Sequence, residues 1–556
     1  MPNALADAFA AEAATLMLPG GATLVAAGEP TKALYRLTAG RLGELAPTSE
    51  GGGRLLTVHR PGALIGGVQL LGGGVNRTTV TALRDSELEA IDAKRAAELL
   101  REDPELLAEV ARATLEHFGA GPSNERRKSM LLALVAAGEG VAVRDFAERL
   151  AVGMRALGAE VAVVGAEAVG SAPSHLHALE VEHDVVLMAA EHGEADFISW
   201  SERQMDRLVL VGGAQGLPRE GPPLSIPPAI RAQRLIDVVL VHPPEARPHG
   251  SAPWLDAFAP ARLFHIRAGD TTDEARLARV YTGNSIGLAL SGGGARAYAH
   301  VGVMRALSEL GVPVDFVGGT SMGAVIAAGV AMGWSYAELD ERIRDAFVKS
   351  SPLSDIAFPI LAMTRGRIVD HRLADHFGDA EIGDLWRPFL CVSTDLTTGG
   401  MHVHRRGLLR RALRASLSLP GVLPPVVEEG HVLVDGALVR NLPVDLVREQ
   451  HDGVTIGVDV ASSEGLKPDD LLLKPSGWRW LTSGAWLKGP PIVSVLIRAA
   501  TLPSFAAAAR SQEDLVAIVP NVEGVGLQDW KAYDIAVASG YSAAMAAAEL
   551  LASLRR

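Results

Sequence analysis

The pattern of apolar and polar positions divides the chain into three blocks. In the first, to about His117, short β-like runs alternate with turns: residues 22–26 after Pro19-Gly20-Gly21, 33–38 before Ala39-Gly40, 54–59 before Pro61-Gly62, and 78–82. Closely spaced short strands with Gly-containing turns predict a small antiparallel barrel or roll. Two helices follow over 93–101 and 104–118, the second with apolar residues at Leu106, Leu107, Val110 and Ala113. Residues 119–127, carrying Gly, Pro, Ser and Asn, form a linker. The second block, to about Val280, alternates an amphipathic stretch (143–157) with apolar runs at 160–164, 183–189, 207–211 and 236–242. That alternation predicts a parallel sheet with covering helices, Rossmann-like in plan. The third block opens on the apolar run 285–290 and continues as α/β to about Asp459. A tail containing Pro and Trp follows and closes on an Ala-rich helix over 541–554. The reading is multidomain, with domains at 1–118, 128–280 and 285–460 and a C-terminal extension, 461–556, that packs on the third.

Composition narrows the classes. At roughly 150 residues per domain, 556 residues are enough for about three or four. Lys plus Arg is 52 against 65 Asp plus Glu, a formal charge of −13, which argues against nucleic acid as a partner, since that binding rests on phosphate neutralisation. An apolar fraction of 48% with 21% charged residues excludes whole-chain disorder. The single cysteine, Cys391, rules out an intramolecular disulfide framework and a Cys-cluster zinc site, and fits a reducing compartment. Residues 1–16 lack a basic n-region, and Asp7 and Glu12 interrupt their apolar run, so no secretory signal is expected. The longest apolar stretches, 130–138 and 322–334, fall short of the ~20 residues of a membrane span. The chain is read as soluble and able to sit on a membrane surface.

Three motifs carry chemistry. After the run 286–290 comes Ser291-Gly292-Gly293-Gly294-Ala295-Arg296-Ala297 and then a helical run, 298–310. Consecutive glycines beside a helix N-terminus leave backbone N–H groups bare, an arrangement that binds anions. Gly319-Thr320-Ser321-Met322-Gly323 lies between the run 314–317 and an apolar helix, 324–332. This G-x-S-x-G pattern suits a nucleophile elbow that presents the Ser hydroxyl. Asp435-Gly436-Ala437 follows the apolar run 431–434 and sets a carboxylate at a strand end. A dinucleotide site, built from Gly292, Gly294, Ala297 and Asp315, is the rival chemistry. It gives no role to Ser321 or Asp435. No G-x-x-x-x-G-K-[ST] occurs, so nucleotide hydrolysis has no support. A lipase-type order needs a histidine after the acid, and only His451 follows Asp435. Its turn context, and a glycine loop only one strand–helix–strand unit before Ser321, favour a Ser–Asp dyad in which the carboxylate itself activates the hydroxyl.

These residues resemble a known family. The stretch 287–323, the block 391–425 and the Asp435-Gly436-Ala437 turn look like the patatin-like phospholipases. Ser393-Thr394-Asp395-Leu396, Val403-His404-Arg405, Arg414-Ala415-Ser416-Leu417-Ser418-Leu419-Pro420-Gly421, Leu423-Pro424-Pro425 and Asn441-Leu442-Pro443 resemble the neuropathy target esterase branch. Trp200-Ser201-Glu202-Arg203-Gln204-Met205-Asp206 and Arg276-Leu277-Ala278-Arg279 agree with that branch, and the first block is similar to the cyclic-nucleotide-binding modules found ahead of its esterase domain. The resemblance implies a three-layer α/β domain with Ser321 as nucleophile, Asp435 as general base, and Gly292, Gly293 and Gly294 supplying oxyanion-hole amides. It implies hydrolysis of phospholipid or lysophospholipid acyl esters through an acyl-enzyme, with no cofactor and no metal. Ala297 stands where the family usually has Gly. The expected location is cytoplasmic, at the inner face of the membrane. The alternative is a catalytically weak regulatory protein answering to a cyclic nucleotide.

The first block argues against that alternative. Cyclic-nucleotide modules offer a Glu after Gly to the ribose and a later Arg to the cyclic phosphate. Here Arg77 is present, but Gly67 stands where the Glu should be. The block is read as a scaffold without cyclic nucleotide. Two features point to a lipid surface: the arginines at 405, 406, 410, 411 and 414, beside Leu408, Leu409, Ala412 and Leu413, and the tryptophans at 478, 480 and 486.

Overall fold

A computed structural model describes residues 4–47, 53–119, 129–213, 235–350, 352–358, 361–460 and 514–555. The linker at 120–127 and the tryptophans at 478, 480 and 486 lie outside the described residues. The chain divides into two compact units, Met1–Gly212 with Leu217–Asp237, and Gly213–Gly216 with Val238–Arg556.

The first unit begins with two antiparallel four-stranded sheets. One orders Ala14–Leu18, Ser86–Asp92, Ala33–Ala39 and Leu64–Ile65; the other orders Thr23–Val25, Thr79–Ala82, Leu42–Pro47 and Gly53–His59. Their inward residues, among them Leu37, Leu42, Val80 and Leu88, fill a shared core. The helices Ala93–Glu102 and Pro104–Gly119 cover a second cluster around Phe9, Leu34, Ile91 and Val110. Val161–Val164, Val185–Ala190, Met130–Ala136 and Arg207–Gly213 then run parallel in that order, with helices between them in sequence. Buried polar contacts tie the roll to these strands and helices: Arg84 donates to both oxygens of Glu180 (2.7 and 2.8 Å), Gln204 donates to Asp85 (2.6 Å), and Arg41 pairs with Asp206.

In the second unit the elements that form the largest sheet and its main covering helices are β1 (Ile286–Leu290), α1 (Ala299–Glu309), β2 (Phe316–Thr320), α2 (Met322–Ala331), β3 (Phe389–Asp395), β4 (Gly400–His404), α3 (Leu409–Ser416), β5 (Val426–Glu428), β6 (His431–Asp435), α4 (Val444–Arg448), β7 (Val454–Val458), β8 (Leu515–Ile518) and α5 (Tyr533–Ala546). The eight strands order β5-β6-β3-β2-β1-β7-β8, with β4 also on β3. The centre is parallel, and β6 runs antiparallel to β3. Strands buried on both faces read as unbroken apolar runs, which is why β1 and β2 are legible in sequence. Gly318 and Gly319 are consecutive and so face opposite sides of the sheet. A Cβ at Gly318 would meet Val447 of α4 at 2.6 Å, and one at Gly319 would meet Gly323 of α2 at 2.6 Å. Helices therefore press on both faces, giving three layers. Residues 514–555 pack here: β8 extends the sheet, and α5 lies so close to α1 that a Cβ at Gly540 would reach 1.8 Å from Ala299 O. That helix starts at Tyr533, earlier than the sequence pattern suggests, where the Tyr533 hydroxyl donates to Asp340 (3.0 Å).

Candidate active site

The elbow follows from its glycines. Ser321 has φ +55°, a region that side chains with a Cβ rarely adopt, and it sits between the end of β2 and the first turn of α2. Such a turn closes only if the flanking residues come very near other backbone. A Cβ at Gly319 would lie 2.6 Å from the Gly323 carbonyl, and one at Gly323 would lie 2.4 Å from Ser291 O. Every residue of α2 is buried, so its N-terminus points at Ser321 from a low-dielectric interior, where its dipole favours negative charge.

Asp435 ends β6 and reaches the same point across β3. Ser321 Oγ donates to Asp435 Oδ2 at 2.7 Å, and Ala437 N–H donates to Oδ1 at 2.9 Å. Both residues are buried, and burial pushes the Asp435 carboxyl up to about 6 against the pull of those two donors. The surroundings hold them from several sides. Ser321 N–H donates to Ser416 Oγ (2.8 Å), whose hydroxyl donates to Val392 O (2.7 Å). Asp435 N–H donates to Ser418 O (2.9 Å), and Thr394 Oγ donates to Asp435 O (2.8 Å). Ser416 and Ser418 were not singled out from the sequence as site residues; only their place in the Arg414–Gly421 run marked them.

The glycine loop lies beside the elbow, with a Cβ at Gly292 falling 3.0 Å from Ser321 Cβ. Its three amides are not equivalent. Gly292 N–H donates to Asn441 O (3.2 Å), whereas those of Gly293 and Gly294 have no acceptor among the described residues. The tail clamps this loop: Ala295 N–H donates to Leu527 O (2.9 Å) and Arg296 to Val525 O (2.6 Å). His300 donates to Ser291 O (2.8 Å), and burial pushes it down to about 4, so it is neutral. Ala297 is fully buried within the turn after Arg296.

Two rival chemistries lose their geometry. Asp315 stands before β2, at the sheet edge opposite the glycine loop, where it pairs with Arg279 (2.6 Å) and accepts from Ile286 N–H. It cannot serve a ribose at that loop. His451 bonds to Ser285, Gly453 and Thr455 and stacks on Phe316. It lies at the start of β1, a strand length of roughly 15 Å from the loop at its far end. The arginine run also divides. Leu409, Ala412 and Leu413 are buried, so α3 turns its apolar side to the core and not to a membrane. Arg405 and Arg406 pair with Glu449 and Asp256, away from Arg410, Arg411 and Arg414. In the first block, a Cβ at Gly67 would lie 2.6 Å from Thr114 Oγ1, and Arg77 is exposed.

The comparisons with known proteins follow the same division. The patatin-like phospholipase model matches residues 288–448, and the cyclic nucleotide-binding domain model matches residues 16–103. An uncharacterized NTE family protein of Mycobacterium tuberculosis (strain ATCC 25618 / H37Rv) is 31% identical over 559 residues, covering 97% of this chain and 92% of that one. Patatin-like phospholipase domain-containing protein 7 of Rattus norvegicus is 30% identical over 535 residues, covering 84% of this chain and 39% of that protein. Patatin-like phospholipase domain-containing protein 6 of Homo sapiens is 30% identical over 529 residues, with 83% and 38% covered. The chain thus spans under two fifths of each mammalian relative. No helix of the described residues is long and apolar enough to cross a membrane.

Proposed function

The chain belongs to the NTE family, a hydrolase with a patatin-like phospholipase domain behind a cyclic nucleotide-binding domain, and on that premise we propose that it hydrolyses acyl esters of phospholipids or lysophospholipids with Ser321 and Asp435. The observation that carries this reading is the direct 2.7 Å bond from the Ser321 hydroxyl to Asp435 at a strained elbow.

As Ser321 Oγ attacks the ester carbonyl, Asp435 takes its proton. A carboxyl near 6 is ionised at neutral pH yet more basic than a solvated Asp, which suits that transfer. The tetrahedral oxyanion is met by the N–H groups of Gly293 and Gly294, with the N-terminus of α2 beneath; preorganised donors of this kind stabilise charge as it develops. Gly292, its amide engaged by Asn441, shapes the loop and is not a donor. Asp435 returns the proton to the leaving glycerol oxygen, leaving an acyl-enzyme. Water, deprotonated by Asp435, then releases the fatty acid and restores Ser321. The substrate is met at a membrane surface, the inner face reached from the cytoplasm. The first block is a scaffold that does not bind cyclic nucleotide tightly.

A panel of phospholipids and lysophospholipids, assayed alongside fluorophosphonate labelling, tests this. Fatty-acid release with a single label on Ser321 is expected. No release and no label would leave the chain as a regulatory protein.

A further inference from the structure

An open cavity of about 480 Å³, lined by neither residue of the dyad, carries four guanidinium groups on its wall, those of Arg365, Arg410, Arg411 and Arg414. In a chain of net charge −13 this is a local reversal of sign. Arg414 pairs with Asp370 (2.7 Å), Arg410 with Asp379 (3.1 Å) and Arg411 with Glu428 (3.0 Å). Arg365 has no carboxylate partner among the described residues, so one positive charge is left over. Asp370 and Asp379 are exposed, and exposed ion pairs are weak enough to be exchanged for a better anion. Guanidinium groups match phosphate oxygens in geometry as well as in charge.

Chain segments that flank the cavity-lining residues Arg365 and Val426 carry large apolar side chains in solvent. Residues 355–358 and 361–365 are held to each other and to the cavity side: Ala357 N–H donates to Met363 O, Arg365 N–H to Asp355 O and Met363 N–H to Gly421 O. Phe358 is 85% and Leu361 75% exposed. Val426 lines the cavity, and its neighbour Val427 is 66% exposed. Large apolar side chains standing in water next to arginines are the pattern of a surface that lies in the headgroup region of a bilayer.

The cavity and the dyad share a frame. Arg414 and Ser416 belong to α3; Arg414 donates to Ser418 Oγ (2.6 Å), and Ser418 and Ser416 hold the backbones of Asp435 and Ser321. We propose that this cavity and its rim are the seat on which the enzyme meets an anionic phospholipid surface, the guanidinium groups taking lipid phosphates and Phe358 and Leu361 entering the acyl boundary. The seat rests on the reading that substrate is met at a membrane, but it needs no catalysis.

The test therefore uses the full chain as Ser321→Ala, mixed with vesicles of phosphatidylcholine with and without phosphatidylglycerol and followed by flotation. Binding to the anionic vesicles that weakens with salt is expected. Arg365→Glu/Arg410→Glu should weaken it about tenfold or more, since each basic residue near such a surface contributes substantially. Phe358→Asp/Leu361→Asp should abolish it, with the melting temperature of each variant unchanged because all four side chains lie at the surface. Full retention of binding by either pair, or no binding to anionic vesicles, overturns the seat. Saturable binding of inorganic phosphate in place of vesicles overturns it too, in favour of a soluble phosphate ligand. Failure of lipid hydrolysis alone would count against the dyad and leave the seat standing.

Discussion

Ser321 donates its hydroxyl directly to Asp435 across 2.7 Å, although 114 residues of chain separate them and no imidazole stands between. The bond exists because β2 and β6 border β3, one parallel and one antiparallel, and both end beside the same part of it: Thr320 pairs with Val392 and Asp435 with Ser393.

If the two residues act as a unit, Ser321→Ala and Asp435→Asn each lower kcat/KM by about 10³-fold or more, and the double variant is little worse, because members of one catalytic unit are strongly non-additive. His451→Ala, far from the elbow, leaves activity per folded molecule near wild type. Steady-state kinetics on a short-chain ester reads all four. A loss at His451 equal to that at Ser321 would restore a Ser–His–Asp scheme.

The raised Asp435 carboxyl sets the acid limb of the pH profile. Asp435 must be ionised to take the proton, so kcat/KM falls about tenfold per pH unit below about 6. A limb centred near 4 would mean that Asp435 is not the base.

The same shift predicts a stability change of opposite sense. A folded-state value above the ordinary Asp value means that the folded protein binds this proton more tightly than the unfolded chain. The folded state therefore loses stability as pH rises from about 4 to about 6, by about 3 kcal/mol in all. Asp435→Asn removes that charge, so its catalytic domain should melt higher than wild type at pH 8, with little gain at pH 4. Differential scanning calorimetry at the two values decides it.

In the glycine loop, Gly294 is a poor probe: its φ of +54° and the Leu527 carbonyl 2.3 Å from an added Cβ would disrupt folding. Gly293 is the better one. Its Cβ would press on Val460 at 2.6 Å and push the amide off line, and losing one oxyanion donor lowers turnover by roughly 10² to 10³. Adding Val460→Ala gives the new methyl room and should recover part of the rate. Gly293→Ala with unchanged kcat would remove this amide from the chemistry.

Cyclic AMP and cyclic GMP should bind the full chain no tighter than the millimolar range. Without a carboxylate at Gly67 a charge-assisted bond of ~1.5–3 kcal/mol is missing, about one to two orders of magnitude in affinity. Gly67→Glu should not create the site, since Thr114 crowds the first side-chain carbon. A micromolar constant in calorimetry that weakens on Arg77→Ala would show a working sensor.

Much of this was legible in the chain itself. Doubly buried strands such as β1 and β2 announce themselves as apolar runs, and Gly319-Thr320-Ser321-Met322-Gly323 specifies an elbow because only glycine tolerates backbone at 2.4–2.6 Å. Ser86–Asp92 was not read as a strand: its glutamates obscure it, and it is extended because Ala14–Leu18 and Ala33–Ala39 pair with it on both sides. Other features have no local signal, since each is a relation between distant segments. The tertiary structure alone decided that Asn441 takes the Gly292 amide, that Ser416 holds the elbow, and that Asp315 and His451 lie at the far edge of the sheet. It also divided the arginine run, because α3 can bury only one side: burying Leu409, Ala412 and Leu413 in the core leaves Arg410 and Arg411 to face the cavity, while Arg405 and Arg406, before the helix begins, pair elsewhere.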